Sequence, residues 1–356
     1  MQEKVIDRRE AGQRLDKFAG KYLDKAPKSF IYKMLRKKNI TVNGTKAEGA
    51  LILAEKDVVR FFLSDETIAA FRSRPAAPAV YDGPAPAILF ENDDFIILNK
   101  PPGLLSQGDR SGRPSAVDFL RDYLMRTQLL TEEDMTVCRP SPCHRLDRNT
   151  SGILLCGKTL KGLQHGAELI RTRAVGKYYL TLVHGSLKKS GTLIAWGRKR
   201  ESDNTLIVRG EAGKGYERME TRYRSLETCE GLSLLMVELV TGKPHQIRAH
   251  LAFEGHPVVG DRKYGTPESW PDSDRRLRIN RQMLHAYRLV FPEDCQNPRA
   301  LAGKGIAAPL PEDMRSVLKK TGFRTDCYDL DPILEKQALE KESIYESQKR
   351  RQTRLS

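Results

Sequence analysis

Residues 144–156, HRLDRNTSGILLC, place one acid, Asp147, in a polar, turn-forming stretch that becomes a buried strand after Gly152. A carboxylate on a loop anchored to a rigid element is offered to a cleft, where it can act as nucleophile or proton carrier. The same aspartate could instead cap a turn with Asn149, Thr150 and Ser151. A counterpart lies at residues 239–265, LVTGKPHQIRAHLAFEGHPVVGDRKYG. There a strand ends at Val240, turns at Thr241-Gly242, and enters a helix that accepts Pro244 in its first turn and stops near Gly255. On that helix Arg248 shares its stripe with Leu251 and Ala252, at i+3 and i+4, which directs the guanidinium inward. An unpaired buried guanidinium costs several kcal/mol, so a carboxylate is expected opposite it, and Asp147 is the candidate. Such a pair can also be purely structural.

The elements that must position these groups are short. From Ile88 onward the chain alternates apolar runs with turns: ILF, FIIL, GILL, YYLTLV, TLIAW, ETRYRSL and LSLLMVELV. Helices are expected at 115–125, 160–173 and 244–254, so strands predominate with helices inserted, an α+β pattern. Ahead of this region, Leu15, Phe18, Ala19 and Tyr22 trace one amphipathic helix, and Ile31, Met34 and Leu35 a second. Ile40 and Val42 then lead into an Asn43-Gly44 hairpin turn, and residues 57–63 read as a closing strand. Residues 64–86 hold Pro75, Pro78, Pro84 and Pro86 among alanines, a composition read as a linker without helix. Residues 326–356 are charged and lack an apolar stripe, as a frayed or disordered tail does.

Composition narrows the partner. In 356 residues, 61 Lys and Arg stand against 46 acidic residues, a net charge of +15, which favours a polyanion such as nucleic acid. The first 63 residues alone carry 15 basic and 8 acidic side chains. Lys28, Lys33, Arg36, Lys37 and Lys38 crowd the second helix and its end, where the plain alternative is a solvated face. No run reaches the roughly 18 apolar residues of a membrane span, and the N-terminus has no secretion-signal pattern. A soluble, cytoplasmic and monomeric protein is the expectation. The six cysteines, Cys138, Cys143, Cys156, Cys229, Cys295 and Cys327, are dispersed, as reduced thiols are. Cys138, Cys143 and His144 lack a second short-spaced pair to complete a zinc site, so no metal is expected.

The basic front, RLDKFAGKYL, SFIYKMLRKKNITVNG and EKDVVRFFL over about residues 12–63, resembles the S4 RNA-binding domain. The two chemical segments resemble the RluA-type pseudouridine synthases: HRLD-RN-TSG-ILL their signature loop, and TG-KP-HQIR-AHL with GHPVVGDRKYG their second large motif. DDFIILNKPPGLLSQ, VGKYYLTLVHG and QMLHAYRLVF resemble further segments of the same family, and the match spans about residues 82–315. Lys243-Pro244 departs from the Arg-Thr common in the family. The resemblance implies an S4-like RNA-binding domain at 1–63, a linker at 64–86, a catalytic domain at 87–325 with a mixed, mainly antiparallel central sheet, and a tail at 326–356.

By that resemblance Asp147 is the catalytic acid, Tyr179 the aromatic of the K-x-Y motif with Tyr178 as the neighbouring alternative, Arg248 the basic partner, and Arg145 the residue that opens the target base pair. Lys28, Lys33, Arg36, Lys37 and Lys38 become RNA contacts. The implied reaction breaks N1–C1′ of uridine and joins C5 to C1′, with no redox change and no cofactor. The substrate expected is large-subunit ribosomal RNA, with transfer RNA as the alternative. A catalytically silent RNA-binding or ribosome-assembly factor is a second reading. A glycosidase is a third, although it needs two carboxylates flanking the bond, and no second acid stands in either motif at a natural spacing. His144, His245 and His250 are expected to hold loops and helix in place.

Overall fold

The computed structural model describes all residues except 74–79, 132–138, 188–189, 266–276 and 324–356. Cys138, Cys327 and the tail expected at 326–356 lie outside the described residues.

The N-terminal unit is a four-stranded antiparallel sheet covered by helices. Its elements are β1 (Gln2–Val5), α1 (Leu15–Tyr22), α2 (Lys28–Arg36), β2 (Ile40–Val42), β3 (Thr45–Lys46) and β4 (Val58–Phe61), with strand order β1-β4-β2-β3. Both helices bury the residues that their periodicity selects: Leu15, Phe18, Ala19 and Tyr22 on one, Ile31, Met34 and Leu35 on the other. Asn43 and Gly44 take φ of 51° and 77°, the pair of left-handed residues that a two-residue hairpin requires. β1 gives no strand signal in the sequence because QEKV holds a single apolar residue, Val5, and so shows no apolar alternation.

The expected linker is corrected at its start. Helix α3 (Asp65–Phe71) occupies it, with the Ser64 hydroxyl accepting the Thr67 N–H at 3.2 Å. Ile68 is buried in the N-terminal core and the Phe71 ring lies 4.6 Å from Phe30. The prolines begin only at Pro75, so nothing upstream of them breaks a helix that an N-cap and two early acids favour. Ser73 still donates its N–H to Asp24 at 2.7 Å, so the unit runs about ten residues beyond the boundary expected at 63.

The second unit is built on an eleven-stranded sheet. Its elements are β5 (Ala87–Glu91), β6 (Phe95–Lys100), α4 (Ala116–Arg126), β7 (Ser141–Pro142), β8 (Ser151–Gly157), α5 (Leu160–Arg171), β9 (Gly176–His184), β10 (Gly191–Arg200), β11 (Thr205–Arg209), β12 (Glu217–Cys229), β13 (Leu232–Leu239), α6 (Gln246–Phe253), β14 (Leu284–Val290), β15 (Gly305–Ala307) and α7 (Glu312–Lys320). The path is β11-β10-β12-β13-β9-β14-β8-β6-β5, with β15 on β14 and β7 on β8. Among the described strands only β8 and β14 pair in parallel, so the sheet is mixed and mainly antiparallel, as expected for the α+β class.

Period-two alternation assigns the central strands to two cores. Ile96, Leu98, Leu154, Cys156, Tyr179, Leu235 and Val237 face one side, where α4 supplies Phe119 and Leu120 and α6 supplies Ile247 and Leu251. Leu180, Leu182, Leu234 and Met236 face the other, beneath Met314, Val317 and Leu318 of α7. Tyr179 therefore shares a face with Leu146 and Ile247, while Tyr178 packs on the opposite side. Ser115 closes a capping box with Asp118 at the start of α4, worth about 1 kcal/mol.

Candidate active site

The loop carrying Asp147 is held at successive backbone atoms. Leu146 exchanges two hydrogen bonds with the Ser106 hydroxyl, at 2.9 and 3.0 Å. The Asp147 carbonyl accepts the Thr150 N–H at 3.0 Å, so the backbone closes the turn and the carboxylate is left for other partners. The Arg148 carbonyl accepts from Gly103 N–H at 2.9 Å and from Lys100 Nζ at 3.0 Å. Arg281 Nη1 donates to the Asn149 carbonyl at 3.1 Å, while Asp313 holds the rest of that guanidinium. At the strand entry the Ser151 hydroxyl meets His285 Nδ1 at 2.9 Å, and His285 Nε2 reaches the Ala308 carbonyl.

The second segment differs from expectation at its start. Helix α6 begins at Gln246, one residue after a left-handed His245, so Pro244 lies outside it and not in its first turn. Gln246 explains the geometry. Its amide oxygen accepts from the Thr241 hydroxyl at 2.8 Å and the Lys243 N–H at 3.0 Å, and its NH2 donates to the Glu220 carbonyl and the Thr221 hydroxyl. These four bonds tie the helix start to β12 and fix the turn. Residues 246–251 are all buried, so Arg248 enters the interior as its spacing predicts.

Arg248 meets Asp147, with Nη1 2.7 Å from Oδ2. It also meets a carboxylate that sequence reading missed: Asp261 takes Nε at 2.6 Å and Nη2 at 2.8 Å in a bidentate fork. Asp261 further accepts the N–H groups of Lys263 and Tyr264 at Oδ1. The sequence signal was present, because Asp261 stands within GHPVVGDRKYG. It is a second acid within that motif, beside the reading that none stands there at a spacing suited to a glycosidase pair. With both oxygens on Arg248 and its side chain fully buried, however, Asp261 is not a free second carboxylate for glycoside hydrolysis. Burial opposes the charge of Arg248, but the hydrogen bonds and charge of Asp261, followed by Asp147, outweigh it and raise the guanidinium above its ordinary value.

Asp147 keeps 23% of its side chain exposed, and Arg248 keeps 8%. The carboxylate is thus open to solvent on one side and clamped on the other. Tyr179 lies deeper at 6% exposure, where burial and then the charge of Asp147 raise its phenol, so it keeps its proton at neutral pH. Arg145 is exposed, with no hydrogen bond or ion pair among the described residues. Burial lowers His144 to about 3, and its Nε2 accepts the Leu155 N–H at 3.1 Å, a loop-holding role as expected. Lys100 is the other group missed by sequence. It is wholly buried and gives its three N–H groups to the carbonyls of Pro101, Leu104 and Arg148. The basic residues Lys28, Lys33, Arg36, Lys37 and Lys38 are exposed on the N-terminal unit and do not join this site.

Comparison with known proteins decides the family. Residues 94–253 match the family described as RNA pseudouridylate synthase. Ribosomal large subunit pseudouridine synthase C of Vibrio vulnificus (strain CMCP6) is 31% identical over 324 residues, covering 88% of this chain and 94% of that protein. Its counterpart from Escherichia coli O6:H1 is 32% identical over 321 residues, covering 87% and 93%. The chain belongs to the RNA pseudouridylate synthase family. The synthase shares its fold with human RNA pseudouridylate synthase domain containing 4, at a TM-score of 0.53 and 22% identity over 66% of this chain and 92% of that one. No helix of the synthase among the described residues is long and apolar enough to cross a membrane.

Proposed function

We propose that the synthase converts uridine to pseudouridine in large-subunit ribosomal RNA, with Asp147 as the reacting carboxylate. The observation that carries this reading is the half-open Asp147, clamped at 2.7 Å by a guanidinium that a second, buried carboxylate holds in place. The relatives that match most of the chain carry ribosomal large subunit in their names.

A uridine within folded RNA hides C1′, so the nucleotide must leave the stack before any side chain reaches it. Arg145, exposed and unengaged, fills the vacated place by stacking its planar guanidinium on the neighbouring bases. Ionised Asp147 then attacks C1′ or assists glycal formation, as carboxylates do at anomeric carbons. The N1–C1′ bond breaks, the uracil turns, and C5 joins C1′. Tyr179 stacks on the uracil as a neutral phenol, and the proton that C5 gives up on joining C1′ is balanced by the one that N1 takes up once it is released. Residues 1–73 act as an S4-like RNA-binding unit through Lys28, Lys33, Arg36, Lys37 and Lys38.

The test is a pseudouridine map of total RNA from cells with the wild-type chain, with no chain, and with Asp147→Asn. A large-subunit site should vanish in the last two and return with wild type. Loss confined to transfer RNA would overturn the substrate reading, and a site that persists with Asp147→Asn would overturn the role of Asp147.

A further inference from the structure

The open oxygen of Asp147 has a second neighbour. His245, which caps the start of α6 from the position before Gln246, holds φ 57° and ψ 17°, a left-handed conformation uncommon for a non-glycine residue. Its Nδ1 lies 2.9 Å from the Tyr264 hydroxyl. That hydroxyl oxygen already accepts the Leu206 N–H at 2.8 Å, and its own proton is assigned to Nδ1, the acceptor beside it. Burial pushes the Tyr264 phenol up to about 12, which keeps this proton in place through the neutral range. With Nδ1 accepting, the imidazole carries its own proton on Nε2. Nε2 stands 3.8 Å from Asp147 Oδ1, while Oδ2 of the same carboxylate is held by Arg248.

We propose that His245 is a positioning residue for the reacting carboxylate: its Nε2–H, fixed in that tautomer by Tyr264, turns and holds Asp147 Oδ1 when RNA closes the site. The inference rests on the reading of Asp147 as the reacting group. A separation of 3.8 Å is too long for a hydrogen bond, but rotation of the carboxylate about its Arg248 contact shortens it. Hydrogen bonds of catalytic groups are commonly long without substrate and tighten in the complex. One donor on Oδ2 leaves the carboxylate plane free to swing, whereas a donor on each oxygen fixes it.

The imidazole is faced by Asp147 from the signature loop, by Arg248 on its own helix, and by Asp261 and Lys263 from the following loop. Burial is the largest influence, followed by Asp147 in the opposite sense, and the net direction is below the ordinary histidine value. The ring is therefore neutral at neutral pH. Its Nδ1 is occupied by Tyr264 and its Nε2 already bears a proton, so it orients the carboxylate and does not take a proton from substrate.

The test uses the full chain, an RNA stem-loop containing the target uridine, and four proteins: wild type, Asp147→Asn, His245→Gly and His245→Gln. Glycine accepts the left-handed backbone without strain, so His245→Gly keeps the helix start and removes only the ring. It should lower kcat about 10- to 100-fold with KM changed less than about threefold. Its acid limb of rate against pH should move upward, because the ionised carboxylate has one donor fewer. His245→Gln, which offers an amide N–H at similar reach, should restore most of kcat and return the limb. A His245→Gly protein with an unmoved limb, or a loss that glutamine does not recover, would overturn the proposal and leave His245 as a helix start alone. Activity retained by Asp147→Asn would overturn the underlying reading instead, whichever way the histidine variants behave.

Discussion

Lys100 shows how much the chemistry of one residue depends on what surrounds it. Burial brings its ammonium down to about 7, with Asp147 opposing the shift and Arg281 adding to it. In the unfolded chain a lysine keeps its proton to about pH 10.4. Between about pH 7 and 10 the unfolded chain therefore binds more protons, and folding stability rises with pH by up to about 1.4 kcal/mol per unit for this group. Below about pH 7 both states are protonated and the full cost of burying the charge is present. The stability difference between wild type and Lys100→Met, from urea unfolding, should be flat below about pH 7 and should climb above it. A difference that stays flat to about pH 9 would mean that the three carbonyls hold the lysine charged. Arg248 obeys a different arithmetic, because its loss leaves the buried Asp261 without a counter-ion. Arg248→Met should cost about 3–5 kcal/mol. Adding Asp261→Asn should recover a large part of that in thermal unfolding, while product formation stays low in both proteins because Asp147 still lacks its guanidinium.

At the scale of elements, the signature loop works because β8 enters the sheet beside β14 at close quarters. Gly152 has φ 108°, and a Cβ there would lie 2.1 Å from the Ala286 carbonyl oxygen. Gly152→Ala should destabilise the fold by about 3 kcal/mol or more in urea unfolding and lower activity, since the turn that carries Asp147 is anchored at that point. An alanine variant with wild-type stability would show that β14 can shift aside. Sequence reading reached this element, because HRLDRNTSG followed by ILL is a turn running into a strand. It reached Arg248 as well, through i+3 and i+4 spacing, and the guanidinium does meet Asp147. It missed Asp261 because bidentate pairing between residues 248 and 261 depends on a loop path that no periodicity encodes. Lys100 escaped for a related reason: a lysine ending the strand FIILNK reads as a solvated edge until three carbonyls are seen converging on it. Helix α3 was hidden by averaging the proline-rich stretch over its whole length, although Ser64 through Phe71 contain no proline.

At the scale of the molecule, the basic N-terminal unit and the sheet that carries Asp147 are joined by more than the chain between them. Arg8 pairs with Asp93 at 3.0 Å, Arg9 donates to the Leu129 carbonyl, and the Leu160 N–H reaches the Arg9 carbonyl. Deleting the unit would expose those partners, so its role is better tested by charge removal in the full chain. Lys28, Lys33, Lys37 and Lys38 are exposed and make no ion pair among the described residues, which leaves their ammonium groups available to phosphate. Each phosphate that the protein no longer neutralises reduces the slope of log affinity against log salt by about 0.7–0.9, because fewer counterions are released on binding. Changing all four lysines to alanine should weaken binding to structured RNA and reduce that slope by about two to four. Turnover of a short stem-loop at saturating concentration should be nearly unchanged, since none of the four lies at Asp147, Tyr179 or Arg248. An unchanged salt slope would return these lysines to a solvated face, whereas loss of saturated turnover would mean that the N-terminal unit helps to shape the site.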